Sequence, residues 1–359
     1  MAFASVIGQD RIKNFLGNAL KNKRLSHAYL LSGPEGAGCE ALAIAFANYL
    51  LNHENPDASE DHRIRNLSHP DVHLIFPSPA KTKEEEYQEI LHSLVVNPYL
   101  RLQPWANPSI SIEKIREIKR KSAYKSFEGR GKVFIILDCE RMTTEASNSL
   151  LKVLEEPSDK TYLLMTSSKP NLLLSTITSR CQMIKLDPLS AEEIESALKK
   201  QTDNADSKIK LAARLAGGSF RQALELLNED LDNWQQQALD LFRKTVQNQY
   251  LQVLYIDELL NKYNRDLKNI KVLLAHLLLW FRDALIYRET NGDSNLIIHL
   301  NQIEVLQNFN KRFPGADLDN AVREIENAIA LMERNVQINL ILMVLLNKLR
   351  VYIGGNHGN

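Results

Sequence analysis

The segment Ser26–Leu51, with the sequence SHAYLLSGPEGAGCEALAIAFANYLL, carries the motif that decides the fold. Three glycines lie at its centre: Gly33, Gly36 and Gly38. Their spacing follows the phosphate-binding loop G-x-x-x-x-G-K-[ST], whose backbone amides cradle phosphate. Two residues depart from this pattern. Cys39 stands where a lysine would reach the β- and γ-phosphates, and Glu40 stands where a serine or threonine would hold Mg²⁺. The motif therefore predicts the geometry of a nucleotide site without its chemistry.

The residues on either side of the loop support this interpretation. Ala28–Leu31 predicts a strand that runs into the glycines, and Ala41–Leu51 predicts a helix that follows them. The alternative is that Gly33–Gly38 is only a glycine-rich turn. The strand, the helix and a second strand that ends in Asp138 favour a degenerate phosphate-binding loop.

The composition is that of an ordinary soluble globular protein. The 359 residues are enough for two or three domains, and 44% of them are hydrophobic and 25% charged. Lys+Arg and Asp+Glu are equal at 44 each, so no overall positive charge indicates a nucleic-acid partner. Any contact with DNA must therefore be local or shared with another protein.

Three further features bear on cellular location. The N-terminal segment lacks the basic and apolar regions of a signal peptide, and the longest apolar runs, such as Leu340–Leu346, are too short to span a bilayer. The three cysteines (Cys39, Cys139 and Cys181) are odd in number and scattered, which suggests reduced thiols. We expect a cytoplasmic protein with no membrane segment.

Strands alternate with helices through about the first 190 residues, a pattern that predicts an α/β fold with a parallel sheet and helices on both sides. The run Lys132–Leu137 has no polar alternation, as expected for a strand covered on both faces. After Ser190 almost no strand signal remains, and helices are expected to Ile353. The segment 81–108 gives no clear prediction.

Asp138 ends a predicted strand at the position where nucleotide hydrolases carry the acid that helps to hold Mg²⁺. The next residue, which in those enzymes is usually a glutamate that polarises water, is Cys139. Glu140 could be a shifted base, but the strand alternation turns it aside, and a surface role is the favoured interpretation. The lysine, the hydroxyl residue and the glutamate are all missing, so we expect no ATP hydrolysis.

Arg180 lies in the tripeptide Ser179–Cys181, just before a predicted strand. A guanidinium is always charged and can contact two oxygens at once, which suits a γ-phosphate in the transition state. The alternative is a surface ion pair, and the tripeptide alone does not decide between them.

Three segments resemble the clamp-loader branch of the AAA+ ATPases: HAYLLSGPEGAG from His27, KVFIILDCERMTTEASNSLLKVLEEP from Lys132, and LLMTSSKPNLLLSTITSRC from Leu163. This branch includes the gamma/tau and delta-prime subunits of bacterial DNA polymerase III. The resemblance covers about residues 3–230, and the helical remainder, ending in NVQINLILMVLLNKL, resembles the oligomerising collar of the family.

The resemblance implies a domain plan. Residues 1–189 would form an AAA+ P-loop domain with a degenerate nucleotide site, 190–230 a small helical lid and 231–353 an all-α collar, followed by a disordered tail at 354–359. Within the branch, gamma/tau keeps a working loop and delta-prime typically does not, so Cys39 and Glu40 favour delta-prime.

The resemblance also implies residue roles. Arg180 would be an arginine finger, supplied in trans to the ATP site of a neighbouring gamma/tau subunit. Arg221 matches the sensor-2 position of the lid, Thr166–Ser168 matches the sensor-1 region, and Val6–Gln9 matches the segment that lines the adenine pocket. The implied partners are the gamma/tau and delta subunits, the sliding clamp and primer-template DNA, within a DNA polymerase holoenzyme.

No metal or other cofactor is expected, and whether the degenerate site retains a nucleotide without hydrolysing it stays open. Many relatives carry a four-cysteine zinc module after the loop helix, but residues 52–68 contain no cysteine. A group of histidines in this region lacks zinc spacing and is better read as solvated loop residues: His53, His62, His69 and His73.

Two questions stay open at the level of sequence. A basic cluster could face DNA or could be a solvated helix face: Lys119, Arg120, Lys121, Lys125, Arg130 and Lys132. The rival functions are an active gamma/tau-type ATPase and a free-standing DNA-binding AAA+ protein. Steady ATP turnover by the purified chain would favour the first rival, and tight binding to primed DNA without partners would favour the second.

Overall fold

The computed structural model describes residues 3, 5–22, 24–52, 61–79, 81–105, 107–228, 230–245, 249–290, 292, 297–299, 302–332 and 336–354. Two compact units can be distinguished. The first comprises Met1–Thr202 with Ala216–Leu224, and the second comprises Asp203–Leu215 with Glu225–Asn359. The domain boundaries at 189/190 and 230/231 stay predictions, and positions 355–359 of the predicted tail lie outside the described residues.

A parallel sheet forms the centre of the first unit. Its strands are β1 (Ala28–Ser32), β2 (Val72–Ile75), β3 (Lys132–Ile136), β4 (Thr161–Ser167) and β5 (Gln182–Lys185). They lie in the order β2-β3-β4-β1-β5, and all four pairings are parallel. Every residue of β1 and β3 is buried, because helices cover both faces of such a sheet. The predicted α/β fold is confirmed.

Helices connect the strands. They are α1 (Asp10–Lys21), α2 (Cys39–Asn52), α3 (His62–Arg65), α4 (Glu84–Val96), α5 (Ile112–Ser122), α6 (Thr144–Glu155), α7 (Ser175–Thr178) and α8 (Ala191–Gln201). In α1 the buried residues Ile12, Leu16 and Leu20 recur every four positions, which gives the helix one apolar face. The helix α4 lies in the segment that gave no prediction.

The described residues of the second unit form helices joined by turns and irregular segments, and none of them forms a strand. The unit contains α9 (Asp206–Leu215), the end of α10 (Phe220–Leu227), α11 (Leu231–Thr245), α12 (Gln249–Lys262), α13 (Leu267–Glu289), α14 (Ile303–Arg312), α15 (Leu318–Met332) and α16 (Ile338–Gly354). An aromatic cluster lies in its core, where the ring of Phe242 is 5.0 Å from Trp280 and 5.4 Å from Phe309. Among the described residues, no helix has both the length and the apolar character that a bilayer crossing requires.

Candidate functional site

The carboxyl ends of three adjacent strands, β3, β4 and β1, meet at one edge of the sheet, which is where open α/β sheets bind ligands. The chain leaves β1 through the glycine loop and enters α2 at Cys39. Asp138 follows β3 with a φ of 48°, and its N–H donates to Thr166 Oγ1 at 3.1 Å. The loop, the acid and the β4 end therefore share one site, as expected for a nucleotide-binding fold.

One cavity is lined by all seven residues predicted for the nucleotide site: Gly33, Gly36, Gly38, Cys39, Glu40, Asp138 and Arg221. Thr166, Ser167 and Ser168 line it as well. Its volume is only about 40 Å³, whereas small-molecule sites usually measure about 300–1,000 Å³. The structure brings these residues together around one cavity, and their binding of nucleotide stays a prediction.

Arg101 occupies the position between the two acids of the site. Its side chain is 3% exposed, its Nε lies 3.3 Å from Glu40 Oε1, and its Nη2 contacts Asp138 Oδ2. Glu40 and Asp138 are the residues at the two metal-binding positions of the motif. A guanidinium of the chain itself therefore supplies the positive charge that a metal ion would supply in an active relative.

The electrostatics of this cluster follow from burial and proximity. Burial raises the pKa of Glu40, Arg101 opposes this rise, and Asp138 adds to it. Burial works against the charged form of Arg101, but the Glu40 and Asp138 carboxylates outweigh it, so the pKa of Arg101 lies above its ordinary value. Arg101 therefore stays charged, and its positive charge offsets the negative charge of the two neighbouring carboxylates in this largely buried site.

Tyr99, two residues before Arg101 in the chain, lines the same cavity. Its hydroxyl accepts a hydrogen bond from Ile7 N at 2.9 Å, and its ring makes an edge contact with Phe220 at 5.1 Å. Burial raises the pKa of Tyr99 to about 12. Ile7 belongs to the segment matched to the adenine pocket, so in this chain that segment contacts a tyrosine of its own unit.

Arg221, the sensor-2 candidate, also contacts the segment 99–101. Its Nε donates to the carbonyl of Tyr99 at 3.0 Å, and its Nη2 donates to the carbonyl of Arg101 at 3.5 Å. Two of its guanidinium nitrogens are thus directed at main-chain oxygens of the protein.

Cys39 and Glu140 differ from catalytic groups in their surroundings. Burial, followed by Glu40, raises the pKa of Cys39 to about 12, so the thiol is protonated and unreactive. Glu140 was expected at the surface, but its Oε1 accepts hydrogen bonds from the N–H and the hydroxyl of Ser168, both at 3.0 Å. A short 3₁₀ turn at Cys139–Arg141 redirects the chain after Asp138 and turns Glu140 towards the end of β4.

Arg180 lies outside this cavity, at the end of α7. Its side chain is 38% exposed, its Nη2 pairs with Glu155 Oε1 at 2.8 Å, and its Nη1 donates to the carbonyl of Thr176 at 2.9 Å. The arginine is therefore both held and accessible to a neighbouring molecule. Its role as a finger stays a prediction.

A cluster of Asp61, His69 and Glu128 has the residue types of a metal site. However, His69 Nδ1 accepts the N–H of Asp71 at 3.1 Å, which places the ring proton on Nε2, the nitrogen that faces the carboxylates. Arg63 already pairs with Asp61 at 2.8 Å and with Glu128 at 2.7 Å. These contacts fit an ion-pair cluster and not a metal centre.

The predicted basic cluster is only partly exposed. Lys132 is buried and donates to the carbonyl of Lys121 at 2.6 Å, while the Lys121 amine pairs with Glu117 at 2.8 Å. The other members of the cluster are exposed: Lys119, Arg120, Lys125 and Arg130.

Reasoning from sequence missed Tyr99 and Arg101, because they belong to the segment without a prediction. One signal was nevertheless present. A loop that has lost its lysine and gained Glu40 next to Asp138 requires a positive charge from elsewhere in the chain.

Comparison with known proteins places these features in a family. The chain is 26% identical over 291 residues to DNA polymerase III subunit delta' of Bacillus subtilis, which covers 79% of each chain. It is 25% identical over 336 residues to DNA polymerase III subunit tau of Bacillus subtilis, covering 88% of this chain and 55% of tau. The chain thus spans about half the length of that tau subunit.

Two solved structures from Thermotoga maritima are also similar. A DNA polymerase III gamma subunit-related protein shares 19% identity, with 94% of this chain and 99% of that chain covered and a TM-score of 0.37. The RuvB Holliday junction branch migration motor shares 16% identity, with 79% and 77% covered and a TM-score of 0.40.

A family model described as DNA polymerase III, delta subunit, matches residues 8–190, which is just over half of the chain. These residues contain the parallel sheet, the degenerate loop and Arg180. The resemblance to the clamp loaders is therefore confirmed, and the chain belongs to the DNA polymerase III delta-subunit family, within the clamp-loader group of AAA+ proteins.

Proposed function

We propose that this chain acts as a delta-prime subunit of a DNA polymerase III clamp loader, does not hydrolyse ATP and supplies Arg180 to the ATP site of a neighbouring subunit. The similarity to a delta' subunit across 79% of both chains supports this assignment. The similarity to tau subunits supports membership of the same assembly.

The observation that carries the proposal is the ion-pair cluster of Arg101, Glu40 and Asp138. Phosphoryl transfer from ATP depends on a metal ion and on cations placed at the β- and γ-phosphates. In this chain Cys39 stands in place of the loop lysine. The guanidinium of Arg101 already pairs with Glu40 and Asp138, the acids at the metal-binding positions. A site arranged in this way supports a structural role over turnover, and so supports delta-prime over an active gamma/tau-type ATPase.

The contribution to catalysis would come from the other side of the unit. Arg180 is held by Glu155 and remains partly exposed, as a residue that reaches a neighbour's γ-phosphate must be. Arginine fingers are worth on the order of 10³–10⁵ in rate. The pair with Glu155 is exposed to solvent, so it costs little to exchange for a phosphate.

The remaining parts of the proposal concern partners and location. Gamma/tau and delta subunits would be the ring neighbours, the helices α11–α16 would contribute the collar contacts, and the sliding clamp and primer-template DNA would be handled by the complex. We place this work in the cytoplasm. Arg221 and the glycines would keep the shape of a nucleotide site without its turnover.

The test uses the full chain, co-expressed with gamma/tau and delta subunits and purified as a complex. Arg180→Ala should leave the mass of the complex unchanged and lower its DNA- and clamp-stimulated ATPase by at least tenfold. Arg24→Ala, which removes another exposed arginine of the same unit, is the matched control and should leave the rate unchanged.

Three results would count against the proposal. An unchanged rate in Arg180→Ala would remove the finger, and steady ATPase of the purified chain that Asp138→Ala abolishes would favour the active ATPase. Tight primed-DNA binding by the isolated chain, with no co-purification of gamma/tau or delta, would favour the free-standing DNA-binding protein.

A further inference from the structure

We propose that the segment Tyr99–Arg101 is a built-in ligand of the degenerate nucleotide site, which excludes nucleoside triphosphates and fastens the start of α10 to the glycine loop. This inference deepens the proposed function, and it rests on one part of it, namely that the chain does not hydrolyse ATP. Arg101 and Tyr99 are then the residues that determine what the site accepts.

The first argument is charge. Glu40 and Asp138 lie close enough to contact the same guanidinium, and the loop contributes no lysine between them. Removing one partner of a buried ion pair leaves an uncompensated charge, which is strongly destabilising. A triphosphate would bring further negative charge to this cluster, so the two carboxylates that Arg101 pairs with would also repel the nucleotide.

The second argument is space. Tyr99 lies against the glycine loop so closely that a Cβ added at Gly38 would be 2.8 Å from its hydroxyl oxygen. Pro98, Tyr99 and Gln103 line the cavity opposite the loop, and about 40 Å³ remain between them. That volume holds a few water molecules and is far smaller than the usual volume of a small-molecule site.

The third argument is that the start of α10 donates hydrogen bonds to main-chain carbonyls of the glycine loop and of the segment 99–101. Arg221 donates to the carbonyls of Tyr99 and Arg101, while Phe220 N donates to the carbonyl of Gly36 at 3.1 Å. The start of α10 is thus bonded both to the loop and to the segment 99–101. The chain itself therefore joins these three parts.

The first experiment measures the melting temperature of the full-length chain with and without Mg²⁺. Arg101→Ala should lower it by roughly 6–20 °C, since a buried ion pair loses one partner in a unit of about 200 residues. Millimolar Mg²⁺ should restore part of this loss, because two carboxylates and water are ligands that Mg²⁺ accepts.

Two controls make this result specific. The native chain should not respond to Mg²⁺, since Arg101 already pairs with the acids. The triple variant Arg101→Ala, Glu40→Gln, Asp138→Asn should not respond either, and it should melt above Arg101→Ala because no unpaired carboxylates remain. If Arg101→Ala fails to fold, the triple variant still reports whether removal of the acids rescues folding.

The second experiment tests exclusion of nucleotide, with Mg·ATP as the calorimetric probe. Cys39→Lys with Glu40→Thr restores the loop residues and should bind Mg·ATP at least tenfold more weakly than the same protein that also carries Tyr99→Ala and Arg101→Ala. Both proteins contain the restored loop, so the difference measures the segment alone.

The inference is overturned if Arg101→Ala melts like the native chain and ignores Mg²⁺, or if the restored loop binds Mg·ATP equally well with and without the segment. Neither outcome touches ring assembly or the Arg180→Ala rate, which test the proposed function. Conversely, a failure of Arg180→Ala to slow the complex would leave both experiments on the isolated chain unaffected.

Discussion

At the scale of single residues, the negative charge of Glu40 and Asp138 beside the glycine loop must be compensated by a cation. This requirement explains why Arg101 is buried between them. Glu40 replaces a neutral hydroxyl residue and Cys39 replaces a cation, so the loop differs by two negative charges from an active one. Arg101 and, at longer range, Arg221 compensate. The need was visible in the sequence, but which arginine meets it was not, since local pattern says nothing about contacts between residues 60 positions apart.

Gly38 gives a prediction at the same scale. It has a φ of 102°, and its missing Cβ leaves room for Tyr99. Gly38→Ala should lower the free energy of unfolding by about 2–4 kcal/mol, because backbone strain and the clash with Tyr99 add up. Chemical denaturation of the full chain measures the change.

Gly129→Ala is the matched control for this prediction. Gly129 also has a positive φ, of 74°, but an added Cβ would meet nothing within 4 Å. Its cost should therefore be the backbone strain alone, about 1–2 kcal/mol. Equal costs at the two glycines would mean that Tyr99 does not press on the loop.

At the scale of elements, the start of a helix is stabilised by a short local pattern of residues. Ser190 and Glu193 form a capping box at the start of α8, with the Glu193 N–H donating to Ser190 Oγ at 3.1 Å and the Ser190 N–H donating to Glu193 Oε2 at 2.8 Å. The strands β1 and β3 were predicted to within one residue, because burial on both faces of a strand leaves a continuous apolar run. The helix α4 was not predicted, because the charged residues of its first turn resemble those of a loop.

Ser190→Ala should lower the free energy of unfolding by about 1 kcal/mol, as expected for the loss of an N-cap. Ser196 is exposed within the same helix and serves as control. Ser196→Ala should be neutral or stabilising by a few tenths of a kcal/mol, because alanine has the higher helix propensity. Denaturation midpoints that move in the same direction for both variants would contradict the capping role.

At the scale of the whole molecule, the order of the elements was predictable and the filling of the site was not. The alternation of strands and helices, followed by helices alone, is a long-range pattern that the chain repeats over many residues. The cavity is lined by Tyr99 and Arg221, which are far apart in sequence, and Arg221 donates hydrogen bonds to the carbonyls of Tyr99 and Arg101. Such contacts arise only when the fold is formed.

The stability of the chain should depend on pH through His276, which is buried, and His73, which is half-buried. Burial, reinforced by His299, lowers the pKa of His276 to about 3, and burial, reinforced by Lys121, lowers the pKa of His73 to about 4. The unfolded chain binds these protons near pH 6.5 and the folded chain does not, so stability is complete above about pH 6.5 and falls as the pH drops towards 3.

Urea denaturation at pH 8, 6.5 and 5 measures this dependence. His276→Leu should flatten the acid slope, by at most about 1.4 kcal/mol per pH unit, because the buried titrating group is gone. His62→Leu removes an exposed histidine and should leave the slope unchanged. An acid slope that is the same in the native chain and in His276→Leu would assign it to other groups.

The hydrogen bonds that Arg221 donates to Tyr99 and Arg101 bear on how well free nucleotide can compete with the segment Tyr99–Arg101 for the site. A ligand that is covalently tethered has an effective concentration of at least the millimolar range and cannot diffuse away. Free nucleotide would have to displace it at every encounter, whatever the ratio of ATP to ADP around the protein. The site should therefore keep one arrangement whatever nucleotide surrounds the protein.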